Sequence, residues 1–179
     1  FKQQLELRQE NYDALAAHLR NHLVPGKDFG RIHFVDKDTC PRHWECSYEK
    51  NPGHWSDHAL FDDGANKVTN LLGLGYQYPN EKDVMRSALT GKPMEEVIIM
   101  CQIHDGYGNV VAEAMGACAR REVKGKLNAM VKRAAKRGRV AAVLSLPGVS
   151  AIFEPDHLAE IEKKAGYGGN STRSRERKF

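Results

Sequence analysis

The sequence predicts an α+β domain in which N-terminal helices precede a small antiparallel hairpin sheet and a long basic helix closes the core. Three observations predict it. Residues 97–104 and 110–119 are β-branched and apolar runs separated by Asp105-Gly106-Tyr107-Gly108-Asn109, which is turn chemistry, so they read as a β-hairpin. Residues 126–146 place Leu127, Met130, Val131, Ala134, Ala135, Val140, Ala141 and Leu144 at helical spacing before Pro147-Gly148 stops the run. Residues 3–23 do the same with Leu5, Tyr12, Leu15, Ala16, Leu19 and Leu23 ahead of Pro25-Gly26.

The remaining elements follow in order. Residues 27–60 hold Cys40, His43, Cys46, His54, His58, both tryptophans and two prolines with no sustained period, so they read as a loop-rich insertion, its Cys/His-rich part at about 31–59. Residues 65–72 predict a second helix, capped by Asp62 or Asp63 and ended near Gly73. A short strand is expected at 75–78, then a polar connection over 80–93 with a helical turn. Residues 157–165 suggest a short helix, and 166–179 a basic, flexible tail containing Arg173, Arg175, Arg177 and Lys178. At 179 residues the chain fits a single domain over 1–165 plus that tail.

Composition narrows the function classes. No run approaches the roughly 18 apolar residues of a membrane span, and the polar, charged residues 1–10 lack the apolar centre of a secretory signal. Four cysteines do not make a disulfide scaffold, and Cys101 and Cys118 fall in apolar strand sequence, so a reducing, cytoplasmic setting is expected. The net charge of +4 matters less than its placement. Lys124, Lys126, Lys132, Arg133, Lys136, Arg137 and Arg139 fall within 124–139 without one Asp or Glu, and Arg120 and Arg121 precede them with Glu122. Unrelieved cations on one helix attract polyanions, and phosphate contacts from Lys and Arg supply salt-dependent affinity. The nine cations from Arg120 to Arg139 are therefore the candidate nucleic-acid contacts. Tyr107 at the hairpin tip, with Tyr76 and Tyr78 on the preceding strand, are candidates for stacking on unpaired bases.

Cys40, His43, Cys46 and His54 form a candidate metal site, with His58 as a spare. Two thiolates and two imidazoles at short spacing would give a coreless loop a cross-link through one structural Zn²⁺. Catalytic constellations are absent: no Gly-rich loop ends in Gly-Lys-Ser/Thr, and Asp62, Asp63, Glu95 and Glu96 are not joined into a convergent set, so the chain is not expected to be an enzyme.

Several blocks resemble a known family. Val24-Pro25-Gly26-Lys27-Asp28-Phe29-Gly30, Leu60-Phe61-Asp62-Asp63-Gly64-Ala65-Asn66-Lys67-Val68 and Leu71-Leu72-Gly73-Leu74 are similar to the "DYG … KPGAEKL … LFGL" signature of certain phage and prokaryotic proteins. Val111 to Glu122 resembles their "GEGxGxCxxRE" segment. Asn128 to Leu144, with Val149-Ser150-Ala151-Ile152-Phe153-Glu154-Pro155-Asp156, resembles their closing "NxxxKMAKKRAxVxAVLxATGxSxIFTQD" block. The likeness covers about residues 15–156 outside the insertion, which replaces a short link, and Gly138 stands where the family tends to have Ala. The order of elements also resembles single-strand annealing recombinases such as the phage Erf proteins, whose β-β-β-α core lines a basic groove. That resemblance implies single-stranded DNA as partner, a ring or filament of identical subunits, strand annealing in recombination or replication, and no cofactor for annealing. Alternatives are an RNA- or duplex-DNA-binding module of a larger complex, and a structural or interaction protein of a phage or defence system.

Overall fold

A first helix, α1 (Lys2–His22), buries Ala16 and Leu19 only in its second half. It ends where Leu23 turns extended, φ −82° and ψ 135°, two residues before a proline that has no amide to continue the ladder. The computed structural model that shows this describes residues 1–153 together with Leu158 and Ile161. Most of the helix expected at 157–165, and the whole tail at 166–179, lie outside the described residues. The chain is α+β and divides into two compact units, Phe1–Gly64 with Ala151–Phe179, and Ala65–Ser150.

In the first unit a turn at residues 24–28 is fixed by Val24 N–H donating to the Asp28 carboxylate at 2.8 Å. The turn leads into β1 (Phe29–Gly30), which pairs antiparallel with β2 (Ala59–Leu60) in the register Phe29↔Leu60 and Gly30↔Ala59. The expected insertion is therefore a closed excursion that leaves and rejoins the chain at neighbouring points. Phe29 and Leu60 are buried at its root.

Helix α2 (Asp62–Leu71) begins with Asp62 and Asp63 in its first turn, where negative charge suits the helix dipole. It ends at Gly73, whose φ of +66° is open to glycine at little cost. The second unit continues through β3 (Gly75–Gln77), α3 (Glu81–Leu89), β4 (Glu96–His104), β5 (Val110–Ala119), a 3₁₀ turn at Arg120–Val123, and α4 (Leu127–Leu144), with α5 (Val149–Ile152) straddling its end. The three strands form one antiparallel sheet in the order β3-β4-β5. Residues 80–93 were expected to hold a helical turn and instead hold nine residues of helix. Within the helix Val84 packs on the core of this unit, an apolar contact too sparse to show as periodicity in a polar stretch.

Alternation along β4 places Val97, Ile99, Cys101 and Ile103 on the buried face, and the register carries this to Gly116 and Cys118 on β5. Helix α4 packs there through Met130 and Ala134. Two glycines bring the backbones together. A Cβ on Gly116 would collide with the carbonyl of Ala134 and the amide of Gly138, and one on Gly138 would sit 3.0 Å from the Ile99 carbonyl. Gly138, unfavourable by about 1 kcal/mol inside a helix, thus stands where helix and sheet meet most closely. The buried stripe of α4 runs through Met130, Ala134, Gly138, Ala142 and Val143, whereas Leu127, expected within it, is partly exposed.

Candidate metal centre and basic helix

The arms of the excursion are held by a ladder that continues past β1 and β2. Ser56 N–H donates to Ile32 O at 2.9 Å, Phe34 N–H to His54 O at 3.1 Å, and His33 pairs with Trp55. This sets His33 and His54 on opposite arms at one level. The two cysteines come from the loop beyond: Asp36 accepts from Thr39 N–H and Cys40 N–H, and Cys46 N–H donates to His43 O. A 3₁₀ turn at Pro52–His54 then delivers His54, its amide bound to Asn51 O at 3.0 Å.

The result is a convergent set: one ligand atom from each of His33, Cys40, Cys46 and His54 lies within 4.8 Å of the other three. Four ligands at 2.0–2.3 Å from a tetrahedral ion stand about 3.3–3.8 Å apart, and Cys46 Sγ lies 3.5 Å from His54 Nδ1. Both cysteines are buried, with Trp55, Val35 and Tyr48 around them. His33 Nε2 is buried with no hydrogen-bond partner among the described residues, the kind of orphaned polar atom that accompanies a site built around a cation. Burial, with Cys46 alongside, pushes the Cys40 thiol above its ordinary value, so a dithiolate here needs a cation to offset it. Burial, and then the neighbouring imidazoles of His54 and His43, lower His33, which favours the neutral ligand form. Asn51 Nδ2 donates to Cys46 Sγ at 3.7 Å and so supports one ligand from outside the set. The cluster is able to hold a metal ion.

Three of the four expected ligands converge, and the fourth is His33 in place of His43. His43 follows Cys40 closely in sequence, yet its ring stands beside the cluster, 6.4 Å from that of His33 between centroids. Strand pairing brings in His33 from the opposite arm. Local spacing does not display that pairing; the only sequence signal is the extended run 30–35 facing residues 54–59.

In the second unit, the cations of the basic segment separate into two groups. Glu122 accepts a forked pair from Arg137, Nη1 to Oε1 at 3.1 Å and Nη2 to Oε2 at 2.6 Å, together with Ala119 N–H at 2.9 Å. Arg133 stands 3.6 Å from the same carboxylate and donates to the Glu122 carbonyl. The Arg137 bond, then that of Ala119, holds the Glu122 carboxyl down to about 2. Arg120 pairs with Glu95 at 3.3 Å. Arg139 is 8% exposed, donates to Tyr76 Oη at 2.6 Å and stacks over that ring at 4.7 Å. Arg139 is therefore not part of an open cationic face, and Arg133 and Arg137 serve first as the clamp between the Arg120–Val123 turn and α4. Arg121, Lys124, Lys126, Lys132 and Lys136 are exposed. Lys124 has φ +52° and is followed by Gly125 at +75°, so a left-handed pair turns the chain into α4.

The tyrosines divide similarly. Tyr76 is engaged by Arg139 and lies against Tyr78, whereas Tyr107 is fully outside at the hairpin tip, where Asp105 accepts from Tyr107 N–H and Asn109 N–H. Cys101 and Cys118 are buried in the sheet, and burial raises the Cys101 thiol to about 11. No helix among the described residues is long and apolar enough to cross a membrane. Comparisons with family models, curated proteins and solved structures return no match, so what the two sites do follows from their own chemistry.

Proposed function

We propose that this chain binds single-stranded DNA without catalysis and promotes annealing of complementary strands in phage-type recombination or replication. The observation that carries the reading is the group of exposed cations around the first half of α4: Arg121, Lys124, Lys126, Lys132 and Lys136. Lys124 and Lys126 also sit at the N-terminal end of α4, where positive charge opposes the helix dipole by about 0.3–1 kcal/mol per group. An anionic backbone relieves that penalty. Neutralising two complementary strands while leaving their base edges accessible is sufficient for annealing and requires no cofactor. A homo-oligomer suits the sheet, since among the described residues β5 pairs with β4 alone and Ile98 and Met115 are exposed on the face opposite α4.

The Cys/His cluster, in the same reading, holds one structural Zn²⁺. Two thiolates and two imidazoles form a closed donor set of the type zinc favours, with no position left for substrate. The ion would supply the cross-link that a loop with so small a core lacks.

The helix reading is tested by changing Lys132 and Lys136 to Ala and titrating oligothymidylate at several salt concentrations. Both residues are exposed and alanine favours helix, so folding should be unchanged by circular dichroism. The slope of log affinity against log salt should fall by up to about 0.7 per lost contact. Unaltered affinity and slope would mean that the lysines form only a solvated face. Parallel titrations with duplex DNA and RNA separate the annealing role from a duplex- or RNA-binding one.

A further inference from the structure

We propose that the metal-clamped loop is a second nucleic-acid contact, in which Trp44 stacks on an unpaired base. This rests on the single-stranded partner inferred above and assigns it a contact of different chemistry. The loop holds both tryptophans of the chain, and they are treated oppositely. Trp55 is 5% exposed and lies edge-on to His33, 4.8 Å between centroids, as part of the loop's core. Trp44 is 61% exposed.

Trp44 is nevertheless held in place. It sits between two ligands, in a turn closed by Glu45 N–H to Arg42 O and Cys46 N–H to His43 O. Its indole lies edge-on to His43 at 5.2 Å and 76°, its N–H reaches Glu45 Oε1 at 3.3 Å, and the His43 ring in turn abuts that of His33. This gives His43 a role outside the ligand set, as the prop between cluster and indole. Phe34, 63% exposed, follows His33 directly and is tied to His54 through its backbone. Both outward aromatics are thus fixed next to metal ligands, and closing the cluster fixes their directions at no further ordering cost when a partner binds.

The ligand class follows from the surroundings. An indole 61% exposed on a loop offers its face to a planar base, the sequence-tolerant contact that single-strand binders use. Residues 31–57 carry four cations, Arg31, Lys37, Arg42 and Lys50, against five acids, Asp36, Asp38, Glu45, Glu49 and Asp57. Phosphate neutralisation therefore contributes little here, and stacking carries the contact. Its signature is affinity with little salt dependence, opposite to that of the α4 lysines.

The test uses the full, zinc-loaded chain with oligothymidylate of about 20 nucleotides. Quenching of tryptophan emission on binding should vanish in Trp44→Phe, which keeps most of the affinity. Trp44→Ala should weaken binding by about tenfold or more with the salt slope unchanged, and stripping the metal with a chelator should weaken wild type to a similar degree. One zinc per chain in each variant, before chelation, shows that the loop still folds. If Trp44→Ala binds with wild-type affinity and the indole does not respond to oligothymidylate, the proposal is overturned and the indole belongs to a protein contact. That result leaves the helix reading intact if Lys132→Ala/Lys136→Ala still flattens the salt slope. Weakening by Trp44→Ala alone, with the lysine variant unaltered, supports the loop contact and overturns the helix.

Discussion

Removing His33 should cost the metal centre far more than removing His43, although sequence spacing favours His43. Structural Zn²⁺ sites with four protein ligands bind with about 10–16 kcal/mol. An equal share for one ligand is roughly 3 kcal/mol, or about two decades in affinity. His33 is one of the four residues whose ligand atoms converge, so His33→Ala should lose that amount. His43 stands outside the set and meets His33 through a ring contact at 6.4 Å between centroids, so His43→Ala should cost less than about tenfold, below the 10–100-fold typical of a residue that orients a ligand by hydrogen bonding. The assay is competition against a chromophoric chelator at fixed pH, with cobalt as a spectroscopic substitute. Cobalt in His33→Ala should keep its thiolate charge-transfer bands, because Cys40 and Cys46 remain, while its ligand-field bands change as one imidazole leaves. Limited proteolysis adds a structural readout, since without metal the apolar core of the loop is the small cluster of Cys40, Cys46, Trp55, Val35 and Tyr48. The assignment fails if His43→Ala loses two decades and His33→Ala does not.

Two further predictions concern the second unit. Gly116→Ala should destabilise by about 3 kcal/mol, at the upper end of typical overpacking, because its new methyl meets backbone of α4 that has no rotamer to yield. Gly138→Ala meets softer contacts at 3.0–3.1 Å and gains about 1 kcal/mol of helix propensity, so its net cost should be at most about 1 kcal/mol; urea midpoints that rank the pair the other way would contradict the packing. Glu122 is held near 2 in the folded chain, below the roughly 4.3 of an unfolded glutamate. Its clamp therefore stabilises fully above about pH 4.5, and the contribution is lost as pH falls towards 2. With partial exposure taken into account this amounts to roughly 1–2 kcal/mol, and Glu122→Gln should flatten that acid-side loss in thermal unfolding.

Most of the architecture was legible because its signals are local. The β4-β5 hairpin lies in eleven turn and β-branched positions around Asp105-Gly106-Tyr107-Gly108-Asn109, and α4 in an apolar period ended by Pro147. Helix α3 was legible only as a helical turn, since Val84 is its core contact and tertiary packing extends the helix through so polar a segment. Gly138 reads as a defect in the helix until Gly116 is seen facing it, because the gain lies in a backbone approach between elements over twenty residues apart.

The two candidate sites show how far residue chemistry outruns residue counting. Cys40, Cys46 and His54 were identifiable because metal ligands are rare side chains and any cluster of them is conspicuous. The fourth ligand depended on a strand pairing, so the right chemistry was assigned to the wrong imidazole. For the basic segment the count was correct and its meaning changed. Seven cations without an intervening acid implied one continuous face, yet a single acid just upstream, Glu122, takes the forked guanidinium of Arg137 and neighbours Arg133, while Tyr76 takes Arg139 into the interior. Arginine can enter such arrangements because its planar fork forms several directed bonds and stacks on rings; the ammonium of lysine keeps its water more strongly. Along this helix the arginines accordingly build the protein, while Lys132 and Lys136 remain on the surface. A substitution series that mixes the two types would confound loss of fold with loss of binding, so the contribution of charge to binding has to be measured on the lysines alone.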